Sequence, residues 1–138
     1  MLERVLVPID GTEYSWRALE YACSLAKMSG GSLVIMTVVK ENTPSPIFIS
    51  HGDCLVAQIG DEVLDAARAI MQGSGVRCSY VLEKGGNVAE LILSTEKSEH
   101  CDAIVLGSRG YGMLEGLFKG SVSQVIVENA DVPVTIIK

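Results

Sequence analysis

Aromatic residues are scarce, at 5% of the 138 residues, so a core must be assembled from Val, Ile, Leu and Ala. Histidine occurs only twice, at His51 and His100, and neither has a ligand-like neighbour at helical spacing. The four cysteines stand at 23, 54, 78 and 101 with no CxxC pair. That scatter excludes a zinc finger and suits buried thiols better than a disulfide framework. Basic residues are outnumbered, eleven Lys and Arg against seventeen Asp and Glu, for a net charge of −6. A general nucleic-acid binder needs cations to neutralise phosphates, and this chain lacks the surplus. A local cationic pocket for one phosphorylated small molecule remains compatible with it. No apolar run approaches the roughly 20 residues of a membrane helix. The start, MLERVLVPID, meets charge too early for a secretory signal. The expectation is a soluble, cytoplasmic protein with no membrane partner.

What is present is a hydrophobic fraction of 48%, enough for a substantial core. The length fits one domain spanning 1–138. Five short β-rich segments recur: Val5–Val7 within LERVLVPI, Leu33–Val39, Val76–Leu82, Ala103–Leu106 and Val132–Ile137. Three are nearly continuous apolar runs, the pattern of strands covered on both faces. Pro133 places the last strand at a sheet edge.

Four segments of helical period lie between them. Thr12 caps the first, with Ala18, Ala22, Leu25 and Ala26 as its stripe and Gly30-Gly31 as its stop. Ile59, Val63, Ala66, Ala67 and Ile70 mark the second, closed by Gly73. Asn87 and Glu90 form a capping box for the third, striped by Val88, Leu91, Ile92 and Thr95. Ser121 opens the fourth, with Val122, Val125 and Ile126 facing inward. Lys40–Gly52, carrying Pro44 and Pro46, reads as a mobile loop. The alternation β-α-β-α-β-α-β-α-β predicts an α/β fold: an open parallel sheet of five strands with helices on both faces, Rossmann-like.

Such sheets bind ligands at the carboxyl ends of their strands. The loop after the fourth strand, 107–121, holds five of the fourteen glycines and ends at a helix start. Glycines let backbone N–H groups approach a ligand, and a helix N-terminus favours an anion. Ser121 adds a hydroxyl, and Arg109 and Lys119 add local positive charge. Composition alone fits a phosphate site and a flexible, Ser-capped loop equally well. Asp10, a carboxylate at the end of the first strand, is either a site residue or part of the first helix cap. Tyr14, Trp16, Cys78 and Cys101 read as packing residues, and the acidic run Glu96–Glu99 as a solvated helix end.

The spacing Gly107-x2-Gly110-x9-Gly120-Ser121 resembles the G-x2-G-x9-G-[ST] signature of the nucleotide-binding branch of the universal stress protein family. VLVPID near the start, DAIVLGSRG and the VPVTIIK ending resemble the same family, in order, over nearly the whole chain. The resemblance implies strand order 3-2-1-4-5 and a homodimer through the last strand, Val132 to Lys138. It implies ATP or a related adenine nucleotide, carried with Mg²⁺ or Mn²⁺. It also implies a site. Pro8 and Asp10 would lie at the ribose or adenine, and the Val38 backbone at the adenine edge. Leu106, Gly107, Arg109 and Gly110 would form the ribose and phosphate loop, and Gly120, Ser121 and Val122 the phosphate-holding helix start. The reading is a nucleotide-binding regulatory protein of the stress response. Its rivals are a slow ATPase or phosphotransfer enzyme, for which no placed general base is visible, and a ligand-free interaction module.

Overall fold

The computed structural model describes residues 2–39, 52–108 and 122–138, with side chains in the second helix from Gly60 onward. Nine elements alternate: β1 (Arg4–Pro8), α1 (Glu13–Ser29), β2 (Ser32–Val39), α2 (Gly52–Met71), β3 (Arg77–Lys84), α3 (Val88–Ser98), β4 (Ala103–Gly107), α4 (Val122–Asn129) and β5 (Val134–Ile137). The strands form one parallel sheet in the order β3-β2-β1-β4-β5, as the sequence predicts. Of the expected mobile loop Lys40–Gly52, residues 40–51 lie outside the described residues, and Gly52 is the first residue of α2. Among the described residues, no helix is long and apolar enough to cross a membrane.

Successive residues of a strand point to opposite faces, so each buried strand feeds two cores. Val5, Val7, Ile9, Leu33, Ile35 and Val105 pack under α1 and α2, together with Ala18, Leu19, Ala22 and Leu64. Leu6, Val34, Met36, Val38, Ile104 and Leu106 pack on the other face with Val88, Ile92 of α3 and Ile126 of α4. The two clusters account for the continuous apolar runs. α1 is capped as expected, Ser15 N–H donating to Thr12 Oγ1 at 3.4 Å, and ends at Gly30 in the left-handed conformation (φ 73°). Asn87 Oδ1 caps α3 by accepting from Glu90 N–H at 3.1 Å.

Four expectations are corrected. The inward stripe of α2 is Leu64, Ala67 and Met71, with Val63 partly buried, while Ala66 and Ile70 are exposed. β3 runs two residues further than Leu82, because an edge strand can carry Glu83 and Lys84 with little burial. β5 begins at Val134 and not at Val132; Pro133 still serves the ladder through its carbonyl, which accepts from Ile104 N–H at 2.9 Å. Glu96 is not a solvated end residue: it is 4% exposed, and its Oε1 is enclosed with no hydrogen-bond partner among the described residues. Trp16 packs against the first core and Cys101 is buried, as expected, while Cys23 and Cys78 are half-buried thiols.

Candidate functional site

β1 and β4 lie side by side in the middle of the sheet, with Val5 opposite Ala103 and Leu6 opposite Ile104. After β1 the chain turns to α1 on one face; beyond β4 it next forms α4 on the other. Two neighbouring strands whose connections leave in opposite directions open a crevice at their carboxyl ends. Pro8 and Asp10 stand on one side of it, Leu106 and Gly107 on the other. Pro8 and Leu106 are buried, and Asp10 and Gly107 are half-buried.

Asp10 is held in place by its own turn. Its Oδ1 accepts from Thr12 N–H at 3.0 Å and from Thr12 Oγ1 at 2.6 Å. Gly11 between them takes φ 85°, a conformation that favours glycine. Thr12 in turn caps α1, so Asp10 acts as the outer support of that cap. Both bonds fall on one carboxylate oxygen. The helix-cap role weighed for Asp10 is therefore present in the fold.

Gly107 has a packing reason to be glycine. A Cβ there would lie 2.8 Å from the Tyr14 carbonyl carbon and 2.9 Å from its oxygen, atoms of the first turn of α1. The end of β4 can approach that turn only with a bare backbone. Sequence reading assigns Gly107 to the loop and misses this contact, for which no local signal exists. Tyr14 itself carries Arg17 over its ring, with Cζ 5.5 Å from the centroid.

Val38 is set by strand length. β1 ends in register at Pro8 opposite Met36, and Ile9 N–H continues the ladder by donating to the Met36 carbonyl at 2.8 Å. β2 runs on to Val39, whose carbonyl accepts from Gly85 N–H on the opposite side at 3.0 Å. Backbone groups alternate sides along a strand. Val38, two residues beyond Met36, thus turns its carbonyl toward the side on which β1 has already ended. Its side chain is 8% exposed, within the second core.

Val122 is the first residue of α4 and packs half-buried against the second core. Arg109, Gly110, Gly120 and Ser121 lie outside the described residues. The structure brings Pro8, Asp10, Leu106 and Gly107 to the ends of two adjacent strands, with Val38 at the overhanging end of a third. Among the described residues there is no group of three or more His, Cys, Asp or Glu side chains able to hold a metal ion.

A sequence model described as the universal stress protein family matches residues 1–138. The "Universal stress protein in QAH/OAS sulfhydrylase 3'region" of Thermus aquaticus is 31% identical, with 100% of both chains covered. Among solved structures, the hypothetical protein MJ0577 superimposes with a TM-score of 0.86 at 19% identity, covering 100% of this chain and 96% of that one. A universal stress protein family protein of Arabidopsis thaliana, solved with AMP bound, superimposes with a TM-score of 0.74 at 21% identity, covering 98% and 90%. At those identities the two structures establish likeness of fold.

Proposed function

Because the chain belongs to the universal stress protein family, we propose that it is a cytoplasmic regulatory protein that binds an adenine nucleotide, ATP foremost, in the crevice between β1 and β4. The observation that carries this reading is the divergence of the β1 and β4 connections beside a G-x2-G-x9-G-S spacing. The AMP bound to the Arabidopsis relative supports the choice of base.

In this reading the adenine edge meets the backbone of Val38, with Pro8 and Leu106 as apolar wall. Asp10 accepts from a ribose hydroxyl through the carboxylate oxygen that Thr12 leaves free. Gly107, Arg109 and Gly110 follow the ribose and phosphates. Gly120, Ser121 and Val122 supply N–H groups at the start of α4, where the helix dipole favours negative charge. Mg²⁺ or Mn²⁺ enters with the nucleotide, coordinated by its phosphate oxygens, since hard divalent ions favour such oxygen ligands.

The same reading makes the protein a homodimer through β5. Pro133, just before that strand, and Ile137 within it turn their carbonyls to β4, the latter accepting from Ser108 N–H at 2.7 Å. By alternation, Val134 and Ile136 present their backbone groups to the open edge. The other edge strand, β3, carries Arg77, Glu83 and Lys84, charges that discourage pairing; β5 carries none from Val134 to Ile137. A two-fold axis near Val134 and Ile136 would pair the strand antiparallel with its copy.

The test is mass spectrometry of small molecules released from freshly purified, denatured protein. Recovery of ATP, ADP or AMP near one per chain is the expected result. Recovery of none, together with no thermal stabilisation at millimolar ATP and Mg²⁺, would overturn the proposal.

A further inference from the structure

At the opposite, amino end of the sheet, three polar residues stand in one row across adjacent strands. Arg4 of β1 is in register with Ser32 of β2, which is in register with Arg77 of β3. The next row, Val5, Leu33 and Cys78, packs into the core under α1 and α2. The Arg4–Ser32–Arg77 row therefore points to the other face. Two strand spacings separate the arginines, about 10 Å between Cα atoms. The long Arg77 side chain can reach across that distance toward Arg4, over Ser32.

A cavity of 520 Å³ opens there, lined by Glu3, Arg4, Ser32, Arg77, His100 and Asp102 among others. That volume falls within the range of small-ligand sites, roughly 300–1,000 Å³. A second hollow of 360 Å³ shares Arg4, Ser32 and Arg77 and adds Ser79. Ser79 Oγ is enclosed and has no hydrogen-bond partner among the described residues. Buried hydroxyls are ordinarily satisfied, so an unmatched one beside two arginines is notable.

Of the two carboxylates that line the cavity, Asp102 is engaged by backbone N–H groups, while the Glu3 side chain is exposed at its rim; Glu99 lies beside it. Glu99 accepts from Arg4 Nη2 at 2.6 Å, and its backbone carbonyl from Arg4 Nε at 2.6 Å, which fixes that guanidinium. Asp102 accepts from the backbone N–H groups of Glu3 and Arg4 at 2.8 and 3.3 Å. Arg77 has no ion pair or hydrogen bond from its side chain among the described residues, and it is exposed. His100 reaches the rim from a backbone with φ 54°. The Ser32 hydroxyl donates to the Glu3 carbonyl at 3.2 Å, so the donors left for a ligand are the Arg77 guanidinium, the Nη1 of Arg4 and the unmatched Ser79 hydroxyl. Together they suit an oxyanion, because Arg presents a planar fork of donors to carboxylate or phosphate oxygens.

We propose that the amino end of the sheet is a second ligand site, taking a small molecule by one carboxylate or phosphate group held between Arg77 and Arg4 over Ser32. The site is separate from the crevice between β1 and β4 and stands or falls independently of the nucleotide reading.

The experiment is NMR titration of the full-length, ¹⁵N-labelled protein with inorganic phosphate, and in a second arm with acetate, at constant ionic strength set by chloride. Saturable shifts of the Arg77 Nε–Hε signal and the Ser32 and Ser79 amides are expected with at least one of the two anions. Which anion saturates tells phosphate from carboxylate recognition. In Arg77→Gln, an exposed change that leaves the remaining amide spectrum intact, the midpoint read from Ser32 and Ser79 should rise at least about tenfold. Shifts that stay linear with both anions, or a midpoint unchanged in Arg77→Gln, would overturn the proposal. The Asp10 and Leu106 amides report the nucleotide crevice separately in the same spectra.

Discussion

Asp10 supports the α1 cap through Oδ1, and the proposed function gives its other oxygen to a ribose hydroxyl; substitution can separate the two roles. Asn keeps an oxygen that can accept from Thr12, so Asp10→Asn should preserve the α1 cap while losing the charged acceptor for ribose. Nucleotide affinity is expected to fall about tenfold or more, since a hydrogen bond to a charged group contributes roughly 1.5–3 kcal/mol. The melting temperature without ligand should barely move. Asp10→Ala should lose affinity and also about 0.5–2 kcal/mol of stability, the usual cost of a lost cap. Calorimetric titration and thermal melts of both variants check this; equal melting losses in the two would contradict it. Gly107 makes a different point. Its methyl would strike the Tyr14 backbone, which cannot swing aside as a side-chain tip could. Gly107→Ala is expected to destabilise by about 1–3 kcal/mol even without nucleotide, read by urea unfolding. Glu96 makes a third. Burial raises its carboxyl above the ordinary value, the negative charge of Asp131 adding to the rise and the positive charge of Lys97 opposing it. The folded state then holds the proton more tightly than the unfolded chain. Its stabilising share is present below the unfolded carboxylate's pKa and lost as pH rises through the folded one. Glu96→Gln should therefore raise the melting temperature at neutral pH and flatten its decline above about pH 4.5. A variant less stable than the parent at pH 7 would contradict that assignment.

Elements were legible in the sequence where periodicity and caps agreed. Thr12, Gly30 and Asn87 mark helix ends by hydrogen bonds that depend on immediate neighbours, so they can be read without a fold. The stripe of α2 could not be fixed in the same way. Ile70 and Leu64 both repeat acceptably, and which one turns inward depends on the angle at which α2 lies on β2 and β3. Gly60 permits a close approach there: a Cβ on it would come 2.5 Å from Leu82 Cδ1 and 2.8 Å from Val39 Cγ1, so the helix rides close to the sheet at that point. Glu96 was read as solvated because charge within an acidic run is ordinarily surface; only the packing of α3 against its neighbours encloses it. A proline beside an edge strand can protect that edge from pairing, and Pro133 stands beside β5. Pro133 turns its carbonyl to β4 and sits outside the strand, which leaves Val134 and Ile136 on the open side. The proposed dimer should give a dimer mass in light scattering at micromolar concentration, and Val134→Pro, which removes an outward N–H, should reduce it to the monomer mass. An undiminished dimer would move the interface away from β5.

At the scale of the whole molecule, strand order is the feature that positions everything else. It was expected from family resemblance, while alternation alone gave only a parallel sheet with helices on both faces. The order β3-β2-β1-β4-β5 puts β1 beside β4 and sends their connections to opposite faces. Asp10 and Gly107, far apart in sequence, meet at that boundary because of the order and not because of any local signal. The glycine spacing from Gly107 to Ser121 was readable only through its resemblance to the family signature, and Gly110, Gly120 and Ser121 lie outside the described residues. The packing of Gly107 on Tyr14 was not readable, because it joins two elements through a single close approach. In the proposed function the crevice between β1 and β4 holds an adenine nucleotide by its phosphates at the start of α4. Isothermal titration of ATP with Mg²⁺ into nucleotide-stripped protein, beside Gly120→Val, tests it most directly. The expected result is saturable binding at one nucleotide per chain in the parent and none in the folded variant. No heat in the parent, or equal affinity in Gly120→Val, would contradict it.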